Sequence, residues 1–123
     1  MSLSAYEDLV IRMAAHQEDE NDPYGRPPDQ PGAKLDKGKV RADLLLDFRN
    51  ALKAAAKIST FGADKYTEGG WITVPQGEKR YRAALIRHLL EDGLDPESGM
   101  PHTWHALWNL LAVVELELRG QCE

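Results

Sequence analysis

The stretch Arg80–Asn109, RYRAALIRHLLEDGLDPESGMPHTWHALWN, decides the fold of this chain and concentrates its chemistry. Three of the four histidines fall inside it, beside Glu91, Asp92 and Asp95. His88, Glu91 and Asp92 stand at i, i+3 and i+4, the spacing that puts side chains on one helix face. His102, His105 and Asn109 follow at i, i+3 and i+7. Between them Asp95-Pro96 opens a turn, Gly99 closes it, and Pro101 suits the first turn of a new helix. Helices joined by so short a turn pack antiparallel, so the two polar faces are expected to share one cleft.

Working outward, the periodicity predicts a third helix over about Glu78–Asp92 and a fourth reaching about Arg119. Trp104, Leu107, Trp108, Leu111, Val114 and Leu118 form a wide apolar stripe on the fourth, extended by Val113 and Leu116. That surface exceeds what a small bundle buries, so a homodimer or higher homo-oligomer is expected unless the first helix covers it. Upstream, Leu45, Phe48, Leu52, Ala55, Ala56 and Ser59 mark a second helix, with Asp43 as N-cap and Gly62 as terminator. Lys65–Gln76 reads as an irregular loop pinned by Tyr66 and Trp71. Tyr6, Leu9, Val10, Met13 and Ala14 predict a first amphipathic helix over about Ser4–Glu18. Asn21–Ala33 holds four of the seven prolines and reads as a turn-rich connector. With no strand pattern or repeat, the expected architecture is all-α, a four-helix bundle forming one domain over residues 1–123.

A net charge of -5 and a pI near 5.4 argue against a nucleic-acid polymer as partner, since such binding rests on a basic field. The single Cys122 excludes an intrachain disulfide and a cysteine-rich zinc site, which makes a reducing compartment the default. Glu7 and Asp8 interrupt the N-terminus before any secretory apolar run, and no stretch approaches the ~20 residues of a membrane span. A cytoplasmic protein is expected.

Imidazoles and carboxylates converging on one cleft suit Mn²⁺, Zn²⁺ or Co²⁺, and the carboxylate share admits Mg²⁺. The bland alternative is a hydrogen-bonded histidine network with a solvated helix end at Glu91 and Asp92. His16 lies in an acidic segment and is set aside. A second constellation is Lys37-Gly38-Lys39-Val40-Arg41, three cations on alternate positions. In an extended segment all three would point one way, toward a phosphate; otherwise this is a solvated basic loop that pairs with Asp36 and Asp43. Tyr66 and Trp71 could stack a base, or simply pack the loop. Metal and local cations together suggest a substrate with several phosphates, such as a nucleoside triphosphate.

These residues carry a pattern: K-L-D-K-G-K-V-R-A-D-L-L at 34–45, F-G-A-D-K-Y at 61–66, Trp71, R-Y-R-A-A-L-I-R-H-L-L at 80–90, D-P-E-S-G at 95–99 and H-T-W-H-A-L-W-N at 102–109. In this order they resemble the phage-encoded and prophage-encoded dATP/dGTP diphosphohydrolase domain, over about Lys34–Leu118. That family is similar to the MazG-like all-α nucleotide pyrophosphohydrolases. The resemblance implies cleavage of a purine deoxynucleoside triphosphate such as dGTP or dATP to monophosphate and pyrophosphate, with Mg²⁺ or Mn²⁺, in the cytoplasm of a bacterium or phage-infected host. Where better-known relatives carry ExxE and ExxD, this chain offers HLLED at 88–92 and HTWH at 102–105. On that reading His88, Glu91, Asp92, His102 and His105 hold metal, and Glu91 and Asp95 act in catalysis. Lys37, Lys39 and Arg41 neutralise the leaving pyrophosphate, with Lys65, Tyr66, Trp71, Arg87 and Asn109 as further substrate contacts. Two rivals remain. An HD-type phosphohydrolase needs a His-Asp dipeptide, which the sequence lacks. The other is a non-enzymatic helical binding or dimerisation module with a structural metal or a polar histidine network.

Overall fold

A computed structural model describes residues 4–9 and 21–120 of the chain. Two compact units divide it, Met1–Leu44 and Leu45–Glu123. In the first, residues 4–9 are helical and belong to α1. The remainder of the expected first helix, His16 within it, lies outside the described residues, as does Cys122.

The proline-rich connector is a succession of turns, as its composition predicts, and one buried carboxylate organises it. Asp22 Oδ1 accepts the N–H groups of Tyr24 and Arg26 at 2.9 and 2.8 Å, while its own N–H donates to the Arg26 carbonyl at 2.7 Å. The side-chain oxygen thus replaces a ladder partner for backbone that has none.

The basic segment departs from the extended form expected of it. Gly38 takes φ +78° and the Lys39 N–H closes a turn on the Asp36 carbonyl at 3.0 Å, so Lys37, Lys39 and Arg41 do not alternate along a strand. Arg41 instead grips Asp43, through Nε and a terminal nitrogen, at 2.9 and 2.7 Å. That fork-to-fork pair also explains why Asp43 caps no α-helix. A 3₁₀ helix, Ala42–Phe48, comes first.

In the second unit α2 spans Arg49–Lys65, α3 Gly77–Leu89 and α4 His102–Gly120, with a 3₁₀ turn at Gly70–Thr73. The chain is all-α, and among the described residues only one isolated bridge, Leu94 to Pro101, is extended pairing. Gly62 does not terminate α2; its carbonyl accepts the Tyr66 N–H at 2.9 Å and the helix runs on to Lys65. α4 is central, packed along α3 and against α2.

The buried face of α4 differs from the apolar stripe expected there. His102, His105, Ala106, Asn109, Ala112 and Val113 are buried, at helical spacing, whereas Leu111 and Val114 are exposed. The tryptophans of the expected stripe lie instead beside α2, where Lys57 Nζ is 5.5 Å from the Trp104 ring centroid. Trp71, Tyr81 and Trp108 meet edge to face at centroid distances of 5.6–6.1 Å. Tyr81 donates its hydroxyl to the Trp71 carbonyl at 2.7 Å, and the Trp108 indole N–H reaches Ser59 Oγ at 2.9 Å. Trp71 therefore packs the 3₁₀ turn onto both α3 and α4. Phe48, Leu52, Leu110 and Leu111 stay exposed. Among the described residues no helix is long and apolar enough to cross a membrane.

Candidate functional site

α3 ends at Leu89, earlier than its periodicity suggests, and this decides what the site contains. Leu90 and Glu91 direct their N–H groups to the carbonyls of Ile86 and His88, and Gly93 then takes φ +78°, where a side chain would be strained. The chain reverses through 94–101. The Asp95 N–H donates to the Met100 carbonyl and the Gly99 N–H to the Asp95 carbonyl, both at 2.8 Å. The His102 N–H then returns to the Gly93 carbonyl at 3.0 Å. His88, on the last turn of α3, is thereby set against the first turn of α4.

Three histidines meet there. His88 Nδ1 and His102 Nδ1 are 2.9 Å apart, so one donates and the other accepts. His88 also stacks on His105, with centroids 4.7 Å apart and planes 12° from parallel. Phe61 of α2 meets His105 edge to face, with centroids 6.3 Å apart. Asp95 closes the group: ligating atoms of His88, Asp95 and His102 all lie within 4.8 Å of one another.

The turn fixes the carboxylate. Asp95 Oδ1 accepts the N–H groups of Glu97 and Ser98 at 2.9 and 3.0 Å. Ser98 Oγ accepts the Met100 N–H at 3.1 Å and contacts His105 Nε2 at 2.6 Å. Burial pushes His88 below the ordinary imidazole value, and the His105 and His102 rings push it the same way, against the pull of Asp95. Burial likewise lowers His105, Asp95 opposing and His102 assisting. For Asp95, burial alone would raise the carboxyl, but the Ser98 N–H and the three imidazoles overcome it and hold the group below the usual range. The result is an ionised carboxylate beside two rings, His88 and His105, whose protonation burial disfavours.

This centre forms part of the wall of an open cleft of about 1220 Å³, between the loop 65–74 and the α3–α4 turn. Lys65, Tyr66, Trp71, Arg87, His88, Asp95, His105 and Asn109 all line it, so the structure brings together most of the site residues that the sequence singles out in this unit. Their states differ. Tyr66 is 73% exposed, with Lys65 Nζ 4.8 Å from its ring centroid, and Lys65 also pairs with Glu97. Asn109 is buried and donates to the His105 carbonyl at 2.8 Å. Glu91 and Asp92 are not brought in. They lie beyond the end of α3, exposed, because the unwinding at Leu90 removes the helical register that aligned them with His88.

Two lining or supporting residues escaped the sequence reading. Arg80 lines the cleft from the same helix as Arg87 at i, i+7, a spacing that marks a shared face. Ser98 lies within D-P-E-S-G at 95–99. An Asp two and three residues before free N–H groups is the sign of an Asx turn, which places the intervening side chains.

The residues present fit a divalent cation: two imidazoles and a carboxylate converge, one of the imidazoles is buried, and the cleft gives access. An imidazole–carboxylate centre beside a cleft lined by Lys65, Arg80 and Arg87 is a setting suited to an anionic ligand. The chain belongs to the family of the dATP/dGTP diphosphohydrolase, N-terminal, whose model matches residues 29–123. By that family's name it stands with the nucleotide hydrolases. No curated protein and no solved structure matches the chain.

Proposed function

We propose that this domain hydrolyses a purine deoxynucleoside triphosphate, such as dGTP or dATP, to the monophosphate and pyrophosphate with the help of a divalent cation. The observation that carries the reading is the convergence of His88, Asp95 and His102, the first two of them lining a cleft that also presents Arg80, Arg87 and an exposed Tyr66. The match to a family named for dATP and dGTP supports the substrate class.

In this reading His88, Asp95 and His102 hold the cation, which supplies Lewis-acid stabilisation of charge on the phosphates. Water attacks the α phosphorus, the bond from that phosphorus to the oxygen bridging to the β phosphate breaks, and pyrophosphate leaves with both bonding electrons. His105, neutral because burial lowers it, takes the proton of the attacking water. Ser98 holds its ring in place. Arg80 and Arg87 stabilise the growing charge on the leaving group. Tyr66 offers a face to the base, sequence-tolerant on its own. The exposed Phe48, Leu52, Leu110 and Leu111 support the further proposal that copies of the chain self-associate.

A second reading has its own observation. The imidazoles and Ser98 already satisfy one another by hydrogen bonding, which is what a structural network in a binding or dimerisation module would need. One experiment separates the two. Purified chain is incubated with each deoxynucleoside triphosphate and Mn²⁺ or Mg²⁺, and products are resolved by ion-exchange chromatography. Monophosphate and pyrophosphate in equal amounts support hydrolysis; no turnover of any nucleotide defeats it in favour of the module.

A further inference from the structure

We infer that the His88–Asp95–His102 centre selects a borderline transition ion such as Fe²⁺, Co²⁺ or Zn²⁺ over the harder Mn²⁺ and discriminates against Mg²⁺. This rests on the reading that the centre holds the cation and goes beyond it by naming the chemical class of ion.

The donor set is the first ground. Once Glu91 and Asp92 fall outside, one carboxylate and two imidazoles are left, and no other such group occurs among the described residues. Glu97, the nearest acidic neighbour in the turn, is paired with Lys65. Mg²⁺ prefers six oxygen ligands and gives up its water reluctantly, so two imidazoles replace what it binds best with what it binds poorly. Borderline ions gain from the same exchange, in the order Mn²⁺ below Fe²⁺ below Co²⁺.

Geometry is the second ground. Two imidazole nitrogens each ~2.1 Å from one ion, at a right angle, are about 3 Å apart. His88 Nδ1 and His102 Nδ1 are 2.9 Å apart, already the separation of two ligands of one ion, so each ring has only to turn its nitrogen from the other toward the ion. Rigidity is the third. Asp95 is fixed by the N–H groups of Glu97 and Ser98, His102 is 9% exposed, and the stacked His105 braces His88. Such bracing of ligands sharpens preference among ions, because the site is slow to rebuild around a harder one.

The test uses the full chain stripped of metal by chelation, with no nucleotide present, so that its failure is separate from failure of hydrolysis. Calorimetric titrations with Mn²⁺, Co²⁺ and Mg²⁺ are expected to show one ion per chain, with Co²⁺ tighter than Mn²⁺ and roughly 100-fold or more tighter than Mg²⁺. The Co²⁺ complex should display visible d–d bands, lost in Asp95→Asn and His102→Gln and kept in Glu91→Gln and Asp92→Asn. Mg²⁺ binding as tightly as Co²⁺, or no binding of any ion, overturns the inference. So does Co²⁺ binding abolished by the Glu91 or Asp92 substitution. The comparison of ions on the unsubstituted chain decides the matter even if a histidine variant fails to fold.

Discussion

His88 and His102, fourteen positions apart in sequence, bring their Nδ1 atoms to 2.9 Å across the turn that joins α3 to α4. The contact exists because α3 stops at Leu89 and the backbone of 93–102 closes on itself through the Gly93, Asp95 and Met100 groups. Substituting His88 or His102 by alanine, or Asp95 by asparagine, should lower nucleotide hydrolysis roughly 100-fold or more, the effect of removing one member of a cation-holding set. Initial rates of pyrophosphate release, measured alongside circular dichroism to verify folding, provide the check. Folded variants that retain more than about a third of the rate would remove the centre from the chemistry.

Ser98 should act through His105. In Ser98→Ala, His105 Nε2 loses its partner and the Met100 N–H its acceptor, which should cost about 1 kcal/mol of stability and roughly tenfold in kcat, with KM little changed. Ser98→Thr keeps the hydroxyl and should recover most of kcat. Equal loss in both variants would show that the hydroxyl does not position the ring.

Tyr66 and Trp71 line the same cleft but are expected to behave oppositely. Trp71 meets Tyr81 and Trp108 edge to face, and its alanine variant should lose about 2 kcal/mol in urea unfolding. Tyr66, largely exposed, should cost under ~0.5 kcal/mol on replacement by alanine. The same variant should raise KM roughly fivefold by loss of base stacking. A Tyr66 variant with unchanged KM would leave the base to another surface.

Legibility from sequence followed how local each feature is. Helical spacing revealed α2, α3 and α4, and the turn residues Asp95, Gly99 and Pro101 located the reversal. Helix ends were less readable. Glu91 and Asp92 continue the period of α3 in sequence, yet the tightened bond from the Glu91 N–H to the His88 carbonyl and the left-handed Gly93 end it first. Asp43 has the chemistry of an N-cap but is taken by Arg41 two residues away, a choice that spacing alone does not decide. On α4, hydrophobicity favoured the tryptophan and leucine stripe, whereas His102, His105 and Asn109 are buried because their polar groups find partners in His88, Ser98 and the His105 carbonyl, which periodicity does not reveal. Thus the three histidines were legible as a group. Promotion of Asp95 over Glu91 and Asp92 was not, because it depends on tertiary closure of the turn.

The metal-free protein should lose stability as pH falls. His88 and His105 have folded values below the ordinary 6.5, so the unfolded chain takes up protons that the folded chain resists. Stability should therefore fall as pH drops through that ordinary value toward the lowered ones. Asp95, also lowered from its ordinary 3.8, adds a further loss at more acid pH, as its carboxylate is finally protonated. Urea midpoints at about pH 7.5, 6 and 5 should decline in that order, and less steeply in a His88→Gln, His105→Gln double variant. A midpoint that is flat or rises toward acid would contradict the burial of neutral imidazoles.

The most direct measurement is anomalous diffraction from crystals of the full chain grown with Mn²⁺. The expected result is a single strong peak within bonding distance, ~2.1–2.3 Å, of His88, Asp95 and His102, on the side open to the cleft. A peak on Glu91 and Asp92, or ordered crystals with the imidazoles still hydrogen-bonded and no peak between them, would contradict the assignment of this centre.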